Sequence, residues 1–301
     1  MIIIGGTTAS GKSDLAVELA LRLNGEVVSA DSMQIYKRMN IGTAKISRDE
    51  MRGVKHYMLN IVEPYEQYSA AMYCEQAKVI IDDIKKRGKT PIVVGGTGLY
   101  INGLIYEYNA SPYDAALRDS LRQEYEKYGS DYLYEKLKST DAFAASQIHK
   151  NNVKRVMRAI EVFTLTGKSI CDKHDKETCV PHIMYANRIP RDVLYERIDA
   201  RVDKMFDSGL EKEVSSLLKE HGVTFDCQSM QAIGYKEFKE YLTGNIDEEI
   251  LKINIKQHSR NYAKRQETWF NSNKSCVWLD FNKKEENINN ICTDYYNFIN
   301  K

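Results

Sequence analysis

The chain has 301 residues, with 43 lysines and arginines against 42 aspartates and glutamates, and a formal net charge of +1. This length allows one large or two modest domains, each with a proper hydrophobic core. The balance of charge excludes recognition of a partner through a strong overall field, so any preference for nucleic acid has to come from local basic patches.

The first predicted strand, residues 2–4, runs into a glycine-rich loop that reads G-x-x-x-x-G-K-S from Gly6 to Ser13. In such a loop successive backbone N–H groups face inward, and the helix that follows adds the partial positive charge of its N-terminus. Lys12 supplies a mobile charge for the terminal phosphate oxygens, and the Ser13 hydroxyl is placed to bind a bridging Mg²⁺. The motif predicts a diphosphate or nucleotide site made of Gly6, Thr8, Ala9, Ser10, Gly11, Lys12 and Ser13.

A second strand is predicted at residues 26–31, with Asp31 at its carboxyl end. In an open parallel sheet this end faces the ligand crevice, on the same side as the phosphate loop. Asp31 could therefore hold magnesium, as the corresponding acid does in ordinary phosphate-loop NTPases. The residues that follow, Ser32, Met33 and Gln34, offer polar groups at the crevice edge, and a glutamine amide suits the N6/N7 edge of adenine. The alternative is that these residues only cap the end of the strand.

The next elements complete an α/β pattern. Residues 33–68 are interpreted as irregular, residues 70–86 as a helix, and residues 90–94 as a buried strand that leads into the glycine-rich residues 95–98. A new helix is predicted to begin at Leu99. This order indicates a P-loop NTPase-like α/β fold, with a doubly wound parallel sheet covered by helices on both faces.

From about residue 114 to residue 166 only helical periodicity is present, which predicts an inserted all-helical domain. Met184 is expected on a strand that returns to the core. Further helices are predicted at residues 193–218, 231–241 and 248–270, before a polar tail with a last short strand at residues 277–279. The predicted domains are a catalytic core of residues 1–113 and 180–301 and a helical insertion of residues 114–179.

Two of these helices carry positive charge along one face. In the insertion the charged residues are Lys154, Arg155 and Arg158; near the end of the chain they are Lys252, Lys256, Arg260, Lys264 and Arg265, with Tyr235, Tyr262 and Trp269 interleaved. Like charges four residues apart oppose helix formation by roughly a few tenths of a kcal/mol per pair, so a compensating polyanion is indicated. The aromatic rings could stack on bases. A solvated face is the alternative.

Arg197 and Arg201 lie four residues apart on another predicted helix. The planar fork of arginine suits a pair of pyrophosphate oxygens. Glu196 and Asp199 favour the alternative that both arginines form exposed ion pairs of little energetic value.

Six cysteines are too few for a disulfide scaffold and fit a reducing compartment. The chain begins directly with an apolar strand, and no apolar run approaches the length of a membrane span, so a cytoplasmic location without a membrane segment is expected. Cys171, His174, Cys179 and His182 form a potential zinc ligand set, but the gap between the two pairs is shorter than in the usual zinc loops. We expect no zinc there.

The chain resembles the tRNA dimethylallyltransferases (adenosine isopentenyltransferases) of the bacterial type along nearly its whole length. Motifs in the right order carry this resemblance: the phosphate loop, the run from Asp31 to Tyr36, Gly95-Gly96-Thr97-Gly98-Leu99-Tyr100, Arg155 and Arg158 before Ala159-Ile160-Glu161-Val162, Arg201 with Gly209-Leu210, Gln231-Ala232-Ile233-Gly234-Tyr235, and Lys264-Arg265-Gln266 with Thr268-Trp269-Phe270. The pattern departs from the family at Thr7, where proline is usual, and at Asn271, where arginine is common.

The resemblance implies a reaction and a set of roles. Dimethylallyl diphosphate would occupy the phosphate loop with Mg²⁺, and the acceptor would be the N6 amine of the adenosine immediately 3′ of the anticodon in tRNA. Asp31 would be the base, Thr97 and Arg201 would act at the transferring group, and Ser32, Met33 and Gln34 would line the tRNA site. The insertion would grip the anticodon stem, and a monomer is expected. The other tRNA contacts that the resemblance implies are Arg118, Lys154, Arg155, Arg158, Gln231, Gly234, Tyr235, Lys236, Lys264, Arg265, Gln266 and Trp269.

Two other functions remain open from the residues. A small-metabolite or nucleoside kinase on the same scaffold would bind and turn over ATP without RNA. A noncatalytic tRNA-binding protein could keep the fold, although the intact Lys12, Ser13 and Asp31 count against it.

Overall fold

The structure, a computed structural model, describes residues 1–106, 113–172 and 180–300. The described residues form two compact units. One contains residues 1–106 and 180–300, and the other contains residues 113–172.

The first unit is built on one six-stranded sheet in which all pairings are parallel. The strands are β1 (Ile2–Gly5), β2 (Gly25–Ser29), β3 (His56–Tyr57), β4 (Thr90–Val94), β5 (Ile183–Arg188) and β6 (Cys276–Asp280). Their order across the sheet is β3-β2-β4-β1-β5-β6. The central strands β1 and β4 are buried along their whole length, which explains why their sequences are continuous apolar runs.

The topology places a crevice at the carboxyl ends of β1 and β4. These strands are neighbours, but the chain continues from β1 to β2 on one side of the pair and from β4 to β5 on the other side. Ligands of open parallel sheets bind where connections diverge in this way, because the two loops leave a gap between them. The two glycine-rich loops of the sequence follow these two strands.

Nine named helices of the first unit are described. They are α1 (Lys12–Arg22), α2 (Arg48–Met51), α3 (Ala70–Lys86), α4 (Gly98–Ile105), α8 (Arg191–Asp207), α9 (Leu210–Glu220), α10 (Phe238–Leu242), α11 (Glu248–Ser272) and α12 (Lys284–Ile299). The mixed α/β character, the helix at 70–86 and the returning strand at Met184 are thereby confirmed.

Three sequence predictions are wrong in detail. The helix predicted at 193–218 is broken at Gly209, whose φ of 95° lies in the left-handed region that L-residues avoid. Residues 231–241 do not form one helix: a 3₁₀ turn at Ser229–Gln231 is separated from α10, and Gly234 between them has a φ of 92°. The short helix α2 and the short strand β3 both lie in the segment predicted to be irregular.

The predicted polar tail is in fact the helix α12. Ile288 and Ile291 are buried in the core cluster that includes Leu15 and Leu19 of α1, and Cys292 and Tyr295 pack against the same cluster. Positions 288, 291, 292 and 295 have the spacing of one helical face, so the signal was present in the sequence but was masked by polar neighbours.

The second unit is helical throughout its described residues. It contains α5 (Ala115–Thr140), α6 (Ala142–Gln147) and α7 (Val153–Thr166), and Gly129 interrupts the helical geometry inside α5. Its core includes Leu121, Leu133 and Ile160. Over the described ranges of the two units, no helix is long and apolar enough to cross a membrane.

Candidate active site

The phosphate loop forms an open cradle of backbone donors between β1 and α1. Gly6 and Gly11 have positive φ angles of 135° and 77°, and Ala9 has a φ of 60°. The N–H groups of Gly11, Lys12 and Ser13 donate to no acceptor in the described part of the chain, and the buried Ser10 hydroxyl also lacks a partner there. Because these donors converge at the N-terminus of α1, the loop is suited to an anion.

Lys12 lies folded over this cradle. Its Nζ donates to the Thr7 carbonyl at 3.0 Å. Burial, together with the positive charge of Arg201, lowers the pKa of Lys12 to about 8, against the opposing influence of Asp31. A bound phosphate would supply the negative charge that this half-buried ammonium group lacks.

Gln266 of α11 joins the phosphate loop to the glycine-rich loop after β4. Its Oε1 accepts the Thr8 N–H at 2.8 Å, and its Nε2 donates to the Gly96 carbonyl at 3.1 Å. A Cβ on Gly96 would lie 1.9 Å from this Nε2, so only glycine fits beside it. Gln266 is 5% exposed. The resemblance implied a tRNA contact for Gln266, whereas here its amide is already used to hold two loops together.

Asp31 follows β2 and uses only one oxygen in the local turn. Its Oδ1 accepts the N–H groups of Met33 and Gln34 at 2.9 and 3.3 Å, as a strand-end cap would. Its Oδ2 accepts no hydrogen bond from the described residues. Thr97 lies beside it, and its Oγ1 accepts the Ser32 N–H at 3.1 Å. One oxygen of the carboxylate therefore caps the end of the strand, as in the alternative considered from the sequence. The other oxygen is available to a ligand.

Two adjoining cavities meet at this carboxylate. A polar cavity of about 100 Å³ is lined by residues that include Lys12, Ser13 and Gln34. A larger cavity of about 270 Å³ is apolar on one side only, and we call it the apolar cavity for that side, which is formed by Ile198, Val202, Met205, Ile233 and Ile255. The rest of its lining is polar or charged and includes Ser32, Gln231, Lys236 and Arg265. Five residues line both cavities: Thr8, Asp31, Thr43, Arg201 and Tyr262. A ligand with a charged half and an apolar half would thus place the bond between them close to Asp31 and Arg201.

Arg201 of α8 reaches this junction without a carboxylate partner in the described residues. Its Nη1 donates to Thr8 Oγ1 at 3.3 Å and its Nη2 to the Thr43 carbonyl at 3.5 Å. Burial lowers the pKa of Arg201, and Asp31 opposes this shift. The neighbouring Arg197 lies instead over the ring of Phe281 and lines neither cavity. Of the two arginines considered from the sequence, only Arg201 is placed to meet a diphosphate.

Sequence reasoning missed Thr43, which lines both cavities, and His56, which lines the polar one. Tyr262, which the sequence suggested only as a ring that could stack on bases, also lines both cavities. Burial lowers the pKa of His56, so its ring is neutral at pH 7. No short motif marks these positions, because they come from an irregular segment, an edge strand and the interior of a long helix.

The positive face of α11 is largely neutralised within the protein. Lys252 pairs with Glu248 at 2.5 Å, Lys256 with Asp203 at 2.6 Å, and Arg260 with Asp199 at 2.7 Å. The inference that these three charges require an external polyanion is therefore wrong, because α8 supplies two of the compensating acids. Lys264 and Arg265 are exposed and form no ion pair with a carboxylate in the described ranges.

The other predicted tRNA contacts differ in their accessibility. Tyr235 is fully buried and its hydroxyl donates to Glu213 at 2.6 Å, so its ring cannot stack on a base without leaving this position. The Gly234 N–H donates to the buried Glu237 at 2.8 Å. Trp269 packs against Gly98, where a Cβ would lie 2.4 Å from its ring. Gln231 and Lys236 are exposed at the mouth of the apolar cavity.

In the helical unit, Arg118 and Arg158 both donate to the buried Glu161, each at 2.7 Å. Lys154 and Arg155 on α7 are exposed. The first pair thus has a role inside the unit, and the second pair lies on its surface.

The site has the donors for a magnesium ion that is held mainly by its substrate. Ser13 and Asp31 both line the polar cavity. Mg²⁺ keeps several waters and binds through one or two protein ligands plus substrate phosphates, so this sparse donor set fits it. No group of three His, Cys, Asp or Glu residues suited to a metal exists in the described ranges. For the Cys/His grouping, His174 and Cys179 lie outside those ranges.

Comparisons with known proteins agree with these observations. The family model described as IPP transferase matches residues 34–273. A tRNA dimethylallyltransferase of Thermoanaerobacter sp. (strain X514) is 47% identical over 97% of this chain and 96% of its own length. The corresponding enzyme of Halalkalibacterium halodurans is 44% identical over 97% of this chain and 96% of its own.

Solved structures give the same picture. A tRNA isopentenylpyrophosphate transferase from Bacillus halodurans superposes with a TM-score of 0.75 at 41% identity, covering 99% of this chain and 97% of that one. A eukaryotic dimethylallyltransferase acting on tRNA gives a TM-score of 0.80 at 31% identity, covering 93% of this chain and 73% of that one.

Proposed function

The chain belongs to the IPP transferase family, and we propose that it transfers the dimethylallyl group of dimethylallyl diphosphate to the N6 amine of the adenosine immediately 3′ of the anticodon in tRNA. Dimethylallyl transfer to tRNA is the activity of the family. We infer the identity of the prenyl donor, of the tRNA base that is modified and of the nitrogen atom that accepts the group.

The junction of the two cavities is the observation that carries this proposal. The polar cavity ends in the N–H cradle of the phosphate loop, which suits the diphosphate. The apolar cavity suits a branched five-carbon group and the face of a purine. Asp31 and Arg201 lie where the two halves of the donor would join, so that the bond to be broken lies beside them.

The chemistry assigned to the chain's own residues is a displacement. The N6 nitrogen forms a bond to the allylic carbon, the bond between that carbon and the diphosphate oxygen breaks, and its electron pair leaves with the diphosphate. The Oδ2 atom of Asp31 takes the proton that N6 must lose. Arg201, Lys12 and the loop N–H groups stabilise the charge that develops on the leaving group. Thr97 lines neither cavity and bonds to Ser32, so its role at the transferring group is carried over from the family resemblance alone.

Mg²⁺ is part of the proposal, with Ser13 as the residue that would hold it. When bound, the ion would neutralise charge on the departing diphosphate.

We assign the scaffold to the P-loop NTPase-like class, with the phosphate loop used for a leaving group and not for phosphoryl transfer. The helical unit with its exposed Lys154 and Arg155 is the part that would grip the anticodon stem. The target base would have to leave its stack to enter the cavity. A monomer is part of the proposal, and a tRNA substrate implies the cytoplasm.

A kinase would use the same loop, but the apolar side of the larger cavity offers a place for a prenyl group, which a kinase reaction does not need. The test is mass spectrometry of unmodified tRNA after incubation with the protein, Mg²⁺ and dimethylallyl diphosphate. The proposal expects one dimethylallyl group in place of one hydrogen on the anticodon-loop adenosine. ATP turnover without RNA, and no mass gain on tRNA, would favour the kinase.

A further inference from the structure

The carboxylate of Glu213, on α9, binds a run of three backbone N–H groups in a distant segment. Its Oε2 accepts from Asn40 at 2.8 Å and from Ile41 at 2.8 Å, and its Oε1 accepts from Ile41 and Gly42, both at 3.1 Å. These residues belong to an irregular stretch between β2 and α2. Successive N–H groups that converge on one anion normally mark a ligand site, but here the protein supplies the anion itself.

Tyr235 fixes the same stretch from the other side. Its hydroxyl donates to Glu213 Oε1 at 2.6 Å, and a Cβ on Gly42 would lie 2.5 Å from its ring. Glu213 itself follows the break at Gly209 and precedes the buried Val214, so α9 is anchored in the core next to it. The stretch at 40–42 is therefore held by one carboxylate and one buried ring.

Thr43, the next residue, connects the stretch at 40–42 to the site. Thr43 lines both cavities, and its carbonyl accepts from Arg201 Nη2 at 3.5 Å and from Gln34 Nε2 at 3.3 Å. Glu213 holds the N–H groups of the three residues before Thr43, and the Thr43 hydroxyl donates to the Met39 carbonyl at 2.6 Å, so both contacts help to place the Thr43 carbonyl. Glu213 thus acts on Arg201 through two backbone steps and never lines either cavity itself.

We propose that Glu213 is a positioning residue that holds the Thr43 carbonyl, and through it the Arg201 guanidinium, in place for the departing diphosphate. This inference rests on the proposed function of the site. Arg201 has no carboxylate to orient it among the described residues, so backbone and hydroxyl acceptors have to do so. A displacement of a charge-stabilising group by about 1 Å can cost about 10²-fold in rate.

The test is a double-mutant cycle of Glu213→Gln with Arg201→Ala, measured as the single-turnover rate at saturating tRNA and dimethylallyl diphosphate. Glu213→Gln alone is expected to lower the rate by about 10- to 100-fold. In the Arg201→Ala background the same change should have little further effect, because its target is gone. Glu211→Gln, two residues earlier on the exposed face of α9, is the matched control and should leave the rate unchanged.

Equal losses in both backgrounds would show a general structural role and overturn the inference, as would an unchanged rate in Glu213→Gln. If Glu213→Gln does not fold, Tyr235→Phe replaces it, because this change removes one hydrogen bond to the same carboxylate. Tyr235→Phe is then combined with Arg201→Ala, and the single-turnover rates are judged in the same way. Calorimetric affinity for magnesium pyrophosphate is measured in parallel. If Glu213→Gln lowers this affinity only when Arg201 is present, the positioning role of Glu213 is supported even if the wild-type protein fails to prenylate tRNA. The two proposals can therefore fail separately.

Discussion

The Gln266 side chain accepts the N–H of Thr8 at 2.8 Å, which ties the middle of α11 to the phosphate loop across 258 residues of sequence. The same amide donates to Gly96, so one side chain links the loops that follow β1 and β4. The positions of these two loops therefore depend on α11, a helix that the family resemblance had linked to tRNA.

Replacing Gln266 by leucine tests this role. The change keeps a side chain of similar size but leaves a partly buried N–H and a buried carbonyl without partners, which should cost about 1–3 kcal/mol of unfolding free energy. Affinity for magnesium pyrophosphate should fall, while tRNA affinity should change little. Denaturant unfolding, calorimetry and a filter-binding assay measure the three quantities, and Gln257→Leu, at an exposed position on α11, is the control. A loss of tRNA binding alone would restore the tRNA-contact interpretation.

The salt dependence of tRNA binding should distinguish the paired from the unpaired cations of α11. Lys256→Ala and Arg260→Ala remove charges that are already neutralised by Asp203 and Asp199, so the slope of log affinity against log salt should hardly change. Lys264→Ala or Arg265→Ala should lower the slope by about 0.7 to 0.9 each, because each lost phosphate contact releases fewer counterions. The reverse ranking would mean that the ion pairs open when tRNA binds.

Lys12 should give pyrophosphate binding a distinct pH dependence. Its pKa of about 8 in the unliganded protein means that the ammonium charge is lost as the pH rises through this value. The affinity of the wild type relative to that of Lys12→Met should therefore be constant below about pH 7 and fall above pH 8. Lys45 also has a pKa lowered to about 8 by burial but does not line the polar cavity. Lys45→Met should keep the bend in the affinity profile, and Lys12→Met should remove it; a bend that follows Lys45 would disprove the assignment.

A buried carboxylate far from the site should control acid stability. Glu26 is almost fully buried and accepts from Arg87, Lys89 and Tyr57. The Arg87 hydrogen bond, reinforced by Lys89 and Tyr57 against the effect of burial, holds the pKa of Glu26 well below its usual value of 4.5. Since the folded pKa is lowered, this stability is present above the unfolded pKa and is lost as the pH falls below it.

The melting temperature of the wild type should therefore drop more steeply below about pH 4.5 than that of Glu26→Gln. At pH 7 the variant should be less stable by about 1–3 kcal/mol, because a charged acceptor of hydrogen bonds has been removed. If the melting temperature of Glu26→Gln falls with pH as steeply as that of the wild type, this prediction is wrong.

Local patterns in the sequence were sufficient for parts of the fold and the site that are local. The loop from Gly6 to Ser13 and the position of Asp31 at the end of β2 follow from a few consecutive residues. The roles of Glu213 and Gln266 could not be predicted, because each depends on which distant elements pack together. The same reason explains the error on α11: no acid lies near Lys256 in the sequence, but α8 brings Asp203 to it.

The single-turnover rate of Asp31→Asn at saturating tRNA and dimethylallyl diphosphate shows whether Asp31 accepts the proton from N6. An asparagine oxygen can still accept the N–H groups of Met33 and Gln34, so the turn should persist while the base is lost. If Asp31 is the base, the rate should fall by about 10²–10⁴-fold, with little change in the affinities for magnesium pyrophosphate and tRNA. A rate near that of the wild type, together with abolished binding of magnesium pyrophosphate, would contradict it and make Asp31 a residue of the metal site.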